Sequence, residues 1–278
     1  MSFCENVENS IFTEFNESIL LRFNEAVERY NLIENRDRIA ICISGGKDSM
    51  LLAMLVRILH RQGSIDFEPI YLVMDPGYNE LNRRQIEKNC ALLEIPAQIF
   101  ESDIFDVTSS VSGNPCYLCA RMRRGNLYAK AKELGCNKIA LGHHFSDVIE
   151  TTLIGMFYGS QLQGMMPKIH STNFEGMELI RPLYCVREED IISWRDFNGL
   201  EFIRCACRFT EQLSQEDEEN SSSKRLEAKL LVKRLKAEYP DVEQSIFDSI
   251  HNLDLDSFPG FKSGGIEYDF NQIFAQNI

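Results

Sequence analysis

Residues 38–56 read RIAICISGGKDSMLLAMLV, two apolar runs separated by two glycines, a lysine and an aspartate. The first run, RIAICI, is short and rich in β-branched residues, which fits a buried strand. The second, from Asp48 to Gly63, has helical length and stops at a glycine. SGGKDS must therefore turn a strand into a helix. Its glycines allow φ > 0 and bring backbone N–H groups close to an anion. The helix N-terminus behind them adds unpaired N–H donors and the positive end of a dipole. Ser44 and Ser49 can donate hydroxyls and Lys47 supplies a point charge. An ordinary glycine turn with Asp48 and Ser49 as helix caps would leave the same pattern.

Working outward, the alternation continues. FEPIYLVMD reads as a second strand, NELNRRQIEKNCALLEI as a helix and AQIFES as a third strand. RGNLYAKAKELGC is helical, KIALGHH a fourth strand and SDVIETTLIGMFYG another helix. Strands alternating with helices at this spacing predict an α/β fold, a Rossmann-like parallel sheet covered by helices on both faces. In such folds functional residues gather at the carboxyl ends of the strands. Ahead of the sheet, Ile11, Phe15, Ile19, Phe23 and Val27 lie four apart, one apolar face of an amphipathic helix. The expected organisation is a helical segment over 1–36, the α/β domain over 37–200 with its boundary near Gly199, and an extension over 201–278. That extension holds a cysteine pair, a basic helix and an acidic tail.

Composition narrows the function classes. With 278 residues, 44% of them hydrophobic, the chain can bury an ordinary globular core. No apolar run reaches the ~20 residues of a membrane helix. Glu5, Glu8, Glu14 and Glu17 stand where a signal peptide would carry basic and apolar residues, so the cytoplasm is the default compartment and no membrane partner is expected. A net charge of −13 argues at first against a polyanionic partner, but the excess sits at the ends and in Glu211, Glu216, Asp217, Glu218 and Glu219. Residues 39–210 are nearly balanced, with 20 acids and 18 bases, which leaves RNA open as a partner.

SGGKDS is not the Walker A spacing. Placed directly after a strand and before a helix, it resembles the pyrophosphate loop of PP-loop ATPases, the adenine nucleotide α-hydrolase superfamily. ALGHHFSDVIETT, ending the fourth strand, supports that resemblance. It implies that Ser44, Gly45, Gly46, Lys47, Asp48 and Ser49 grip the phosphates of ATP, with Gly142, His143 and Asp147 beside the nucleotide. It also makes Lys47, Asp48 and Asp147 the catalytic candidates, Asp147 as a Mg²⁺ or substrate contact. His143 and its neighbour His144 could equally be structural histidines. Asp75, at the end of the second strand, is a candidate neighbour of the adenosine or else a turn cap.

NPCYLCARMRRG holds Cys116 and Cys119 as C-x-x-C, and EFIRCACRFT holds Cys205 and Cys207. Two thiolates on one tight turn can reach a single metal centre, and the rival reading is a pair of buried thiols. Together with the adenylating motifs, this set resembles the cysteine-triad tRNA thiolases of the 2-thiocytidine synthetase type over about residues 15–240. The resemblance implies a [4Fe–4S] cluster on Cys116, Cys119 and a third cysteine, Cys205 being favoured over Cys207. If both ligate, the site becomes a closed cluster or structural zinc. It also implies ATP-dependent thiolation of a tRNA cytidine by adenylation at C2, a sulfur donor (sulfide or a cysteine desulfurase system) and a homodimer. Cys4, Cys42, Cys90, Cys136 and Cys185 read as core thiols.

Two basic stretches are candidates for RNA contact: Arg121, Arg123 and Arg124 after the C-x-x-C, and a helical stripe of Arg225, Lys229, Lys233 and Lys236. Charge runs of this kind also occur as solvated faces. Two rivals to the thiolase reading fit parts of the pattern. One is an amide-forming or nitrogen-transferring synthetase of the same fold without a cluster, the other an ATP-binding module with structural zinc.

Overall fold

The computed structural model describes residues 2–102, 104, 115–203 and 224–276, with 115–120 and 276 in backbone only. The expected strand–turn–helix unit is present: β1 (Arg38–Ile43) runs into α3 (Lys47–Gln62), which ends at Gly63. Two helices precede it, α1 (Phe3–Phe12) and α2 (Leu21–Arg29), joined by a wider π turn over Asn16–Leu20. This breaks the single helix expected there. A four-residue step overshoots a 3.6-residue turn by about 40°, and the wider turn absorbs that drift. Ile11, Phe15, Ile19, Phe23 and Val27 all remain buried as a result.

After α3 come β2 (Glu68–Asp75), α4 (Glu80–Leu92), β3 (Gln98–Glu101), α5 (Pro115–Glu133), β4 (Lys138–Ala140) and α6 (Phe145–Gly159). Short strands β5 (Lys168–His170) and β6 (Glu178–Ile180), then α7 (Glu188–Phe197), follow. Beyond residue 223 lie α8 (Lys224–Glu238), α9 (Val242–Ser249), a hairpin of β7 (Gly260–Ser263) and β8 (Ile266–Asp269), and α10 (Phe270–Gln276). The main sheet has six strands in the order β3-β2-β1-β4-β6-β5. All neighbours are parallel except the β5–β6 pair at one edge. The α/β expectation therefore holds. β5, β6 and the hairpin are additions to it; β5 and β6 have three residues each, too few for alternation to read.

Side chains of β1 alternate between two cores, as strand geometry requires. Ile39, Ile41 and Ile43 join a core with α3, the N-terminal helices and α7, while Ala40 and Cys42 pack with Tyr128 and Ala131 of α5. Both faces of the sheet are thus covered, as a parallel sheet demands. The strand order reverses direction between β1 and β4, and the crevice at their carboxyl ends is where such folds bind ligands. Among the described residues, no helix is long and apolar enough to cross a membrane.

Candidate active site

The turn after β1 is held by its own hydroxyls. Ser44 N–H donates to Ser49 Oγ (3.1 Å), and Ser49 Oγ–H donates to the Gly46 carbonyl (3.0 Å). Gly45 has φ +86°, and a Cβ there would come within 2.6 Å of Ile86 Cγ1, so only glycine fits. Gly46 caps α3 in extended conformation with no side-chain hydrogen bond, which leaves the first N–H groups of a 16-residue helix without a side-chain acceptor. Lys47 Nζ lies 3.0 Å from Asp48 Oδ1 and 3.1 Å from Glu188 Oε1. Burial pulls the ammonium pKa down, but the two carboxylates outweigh it and the net shift is upward.

The end of β4 meets this loop directly. A Cβ on Gly142 would lie 3.1 Å from the backbone of Asp48 and Ser49, so a side chain here would push the two loops apart by a few tenths of an ångström. His144 caps α6: Asp147 N–H donates to its Nδ1 (3.4 Å), and its own N–H donates to Asp147 Oδ2 (3.0 Å). Since Nδ1 accepts, the ring proton sits on Nε2, which faces Asp147 Oδ2 at 3.5 Å and Asp48 Oδ1 at 3.8 Å. His143 is held neutral: burial pushes its pKa down to about 4, with Asp147 opposing and Arg181 and Arg225 reinforcing.

Between these loops, at the reversal of strand order, is a cavity of about 390 Å³. Ser44, Asp48, Ser49, Gly142, His143 and Asp147 line it, joined by Arg123 and Arg124 from α5. Two buried polar atoms there lack hydrogen bonds, His143 Nδ1 and Asp48 Oδ1, the latter near Lys47 but out of alignment. Asp48 Oδ1 keeps its ion pair with Lys47, while His143 Nδ1 is left with an unmet hydrogen-bonding capacity facing the cavity residues. Six residues named from two distant motifs thus share one cavity. Gly46 and Lys47 instead line a neighbouring cavity of about 830 Å³, with Asp48 between the two and with Glu188 and Ile203 on its wall.

Other expected residues are placed differently. Asp75 does end β2, but its carboxylate accepts from the backbone N–H groups of Gly77 (2.9 Å) and Tyr78 (2.7 Å) and pairs with Arg83 (2.5 Å). Burial pushes its pKa up, yet these partners together hold it below the ordinary value. Arg123 is half-buried and donates to Tyr78 Oη (3.1 Å), while Arg121 is exposed. Within the α8 stripe, Arg225 bridges Asp147 (3.3 Å) and Glu150 (3.1 Å), Lys229 pairs with Glu188, and Lys236 with Glu189 and Glu243. Those three cations serve carboxylates of the fold; Lys233 is exposed.

Glu150, Glu188 and Arg225 are site neighbours that the motifs did not flag as such. REED at 187–190 reads only as the acidic start of a helix. Glu150 is 5% exposed, and burial raises its carboxyl pKa to about 7, with Arg225 opposing and Asp147 adding to the rise. A carboxyl raised from 4.5 stabilises the fold below that value and loses the contribution as pH climbs to about 7. Glu150→Gln is therefore expected to match the wild-type melting temperature near pH 5 and exceed it at pH 8, by up to about 3 kcal/mol in stability. An equal difference at both pH values would assign the effect to packing.

The side chains of Cys116 and Cys119, and residues 204–223 with Cys205 and Cys207, lie outside the described residues. Among the described residues no group of three or more His, Cys, Asp or Glu is arranged to hold a metal. Cys4, Cys42, Cys90, Cys136 and Cys185 are free and buried, and burial raises Cys42 to about 12 and Cys90 and Cys136 to about 11. Such thiols are protonated and inert. The backbone still brings both cysteine-bearing segments toward the SGGKDS loop. The C-x-x-C occupies the first turns of α5, whose Arg123 and Arg124 line the cavity, and Ile203 packs on the phosphate loop at Gly45.

A family model described as a PP-loop domain matches residues 15–211. A tRNA-cytidine(32) 2-sulfurtransferase of Vibrio cholerae is 38% identical over 200 residues, covering 70% of this chain and 63% of its own length. Relatives of the same name from Syntrophotalea carbinolica (34% over 232 residues, 82% of this chain and 86% of that one) and Aliivibrio salmonicida (32% over 276 residues, 98% and 85%) match over more of their length. Among solved structures, a U34-tRNA thiolase from Methanococcus maripaludis with its [4Fe–4S] cluster superimposes with a TM-score of 0.64 at 20% identity. The superposition covers 84% of this chain and 78% of that one, a likeness of fold.

Proposed function

Because this chain belongs to the PP-loop domain family, we propose that it is an ATP-dependent sulfurtransferase acting on a tRNA cytidine. The observation that carries the reading is the cavity at the reversal of strand order, where the SGGKDS loop and the GHHFSD turn meet with two buried polar atoms left without hydrogen bonds. It is supported by relatives of that name at 32–38% identity.

The residues divide the work by charge and position. The loop N–H groups, Ser44, Ser49 and Lys47 bind the phosphates, and the start of α3 adds its dipole. Arg123 and Arg124 bring positive charge to the cavity wall, which suits the nucleotide or the incoming RNA phosphate. Asp48 and Asp147 would hold Mg²⁺; the unbonded Asp48 Oδ1 fits that need, and the ion would offset phosphate charge. The cytidine O2 attacks the α-phosphorus, the bond to the β-phosphate breaks, and pyrophosphate leaves. Hydrosulfide then adds at C2, its proton is lost, and the former carbonyl oxygen departs with AMP. A [4Fe–4S] cluster held by Cys116, Cys119 and Cys205 would supply and polarise that sulfur. Neutral His143, beside the cavity, can donate or accept a hydrogen bond without adding charge. Sulfide or a cysteine desulfurase system as donor and a homodimeric assembly belong to the same reading.

The test is mass spectrometry of nucleosides from tRNA incubated anaerobically with the protein, ATP and sulfide. The expected result is 2-thiocytidine formed only with ATP, with one pyrophosphate released per thiolation. Pyrophosphate release with incorporation of nitrogen in place of sulfur would favour the synthetase reading.

A further inference from the structure

Glu188 stands at the first position of α7, outside both motifs that face the cavity. Its carboxylate is 17% exposed, and each oxygen meets a cation: Oε1 lies 3.1 Å from Lys47 Nζ and Oε2 2.5 Å from Lys229 Nζ. Its N–H donates to Ser146 Oγ (3.3 Å), which ties the start of α7 to the start of α6. Burial pushes its pKa up, but the hydrogen bond from Lys229 and the charges of Lys47 and Lys229 hold it at about 2. Glu188 is therefore an anion at every physiological pH. Lys47, 18% exposed, shares its ammonium between this carboxylate and Asp48.

A triphosphate reaching Lys47 must meet that carboxylate. Two anions on one half-buried ammonium repel more strongly than they would in water. Glu188 has an alternative partner already in contact, since Lys229 holds its other oxygen. We propose that Glu188 is a positioning residue for Lys47 that competes with the triphosphate of ATP, and that Lys229 sets how firmly it holds on. As ATP takes Lys47, Glu188 shifts onto Lys229, which couples nucleotide binding to α8. The inference rests on the reading of Lys47 as a phosphate ligand.

Calorimetric titration of ATP into the anaerobically purified full chain tests it. Glu188→Gln keeps the shape and removes the charge, so ATP should bind about tenfold more tightly, the scale of one charge-assisted hydrogen bond released from competition. At saturating ATP its pyrophosphate release should be slower, because the ammonium is no longer held in place. Lys229→Gln, at an exposed position, should weaken ATP binding several-fold by leaving Glu188 to Lys47 alone. The double variant should bind like Glu188→Gln, since Lys229 acts only through Glu188. Weaker ATP binding by folded Glu188→Gln, or additive effects in the double variant, would overturn the inference and leave the pair a structural bridge. If Lys47→Ala binds ATP as wild type does, the phosphate-loop reading itself fails, and the inference with it.

Discussion

Lys47→Ala and Asp48→Ala should each lower tRNA-dependent pyrophosphate release by at least about a hundredfold, the scale of removing one preorganised charge at a developing anion. Lys47 is the cation of the SGGKDS loop, and the proposed reading puts it where the bond to the departing pyrophosphate must gather negative charge. Asp48 faces both the loop and the His144–Asp147 cap, and its Oδ1 is buried without a hydrogen bond. The fold should survive both changes. Lys47→Ala leaves Glu188 paired with Lys229, and the strand and helix flanking the loop are anchored by apolar side chains from Ile39 to Leu59. Circular dichroism and melting curves separate lost chemistry from lost structure. Near wild-type pyrophosphate release from either folded variant would remove the loop from the mechanism.

Cys116→Ala, Cys119→Ala and Cys205→Ala should each lose the brown colour of the anaerobic protein and its thiolation activity, whereas Cys207→Ala should keep both. Three thiolates on a four-iron cube leave one iron open to an external ligand; four would close the site. ATP binding should persist in all four variants, because none of these cysteines belongs to the turn after β1, to which the proposed reading assigns the phosphates. Iron and sulfide analysis with a visible spectrum reads the outcome. If Cys207→Ala is colourless and Cys205→Ala brown and active, the third ligand is Cys207. If all four are required and the metal is zinc, the structural-metal reading replaces the sulfur-carrying one.

Both experiments concern residues that were legible as sequence, because each motif is continuous. SGGKDS lies between a β-branched run and an apolar helix, and GHHFSD follows a short strand. Meeting of the two was legible as well, since parallel strands bring their carboxyl ends to one edge. Less was visible in short elements. β5 and β6 have three residues each, too few for alternation to register. The hairpin did carry a signal, the Gly264–Gly265 turn between polar and aromatic residues, but it lies inside a stretch that reads as an acidic tail.

By itself, then, the sequence determined the strand–loop–helix unit, the parallel α/β class, the glycines at Gly45 and Gly142 and the cysteine spacing. These follow from period, propensity and backbone freedom, which neighbouring residues settle among themselves. Only the tertiary structure decided which charges meet. The basic stripe of α8 reads as a surface for RNA, and the fold also pairs its part-exposed Arg225, Lys229 and Lys236 with carboxylates of α6, α7 and α9. Arg123 and Arg124 read as part of a second such surface, and the packing of α5 on the sheet sets them in the cavity wall. Glu188 reads as one acid among three at a helix start, and it becomes the partner of Lys47 across 141 residues. A charge has no period and little local preference, so its partner is chosen by the strand order that carries distant segments together.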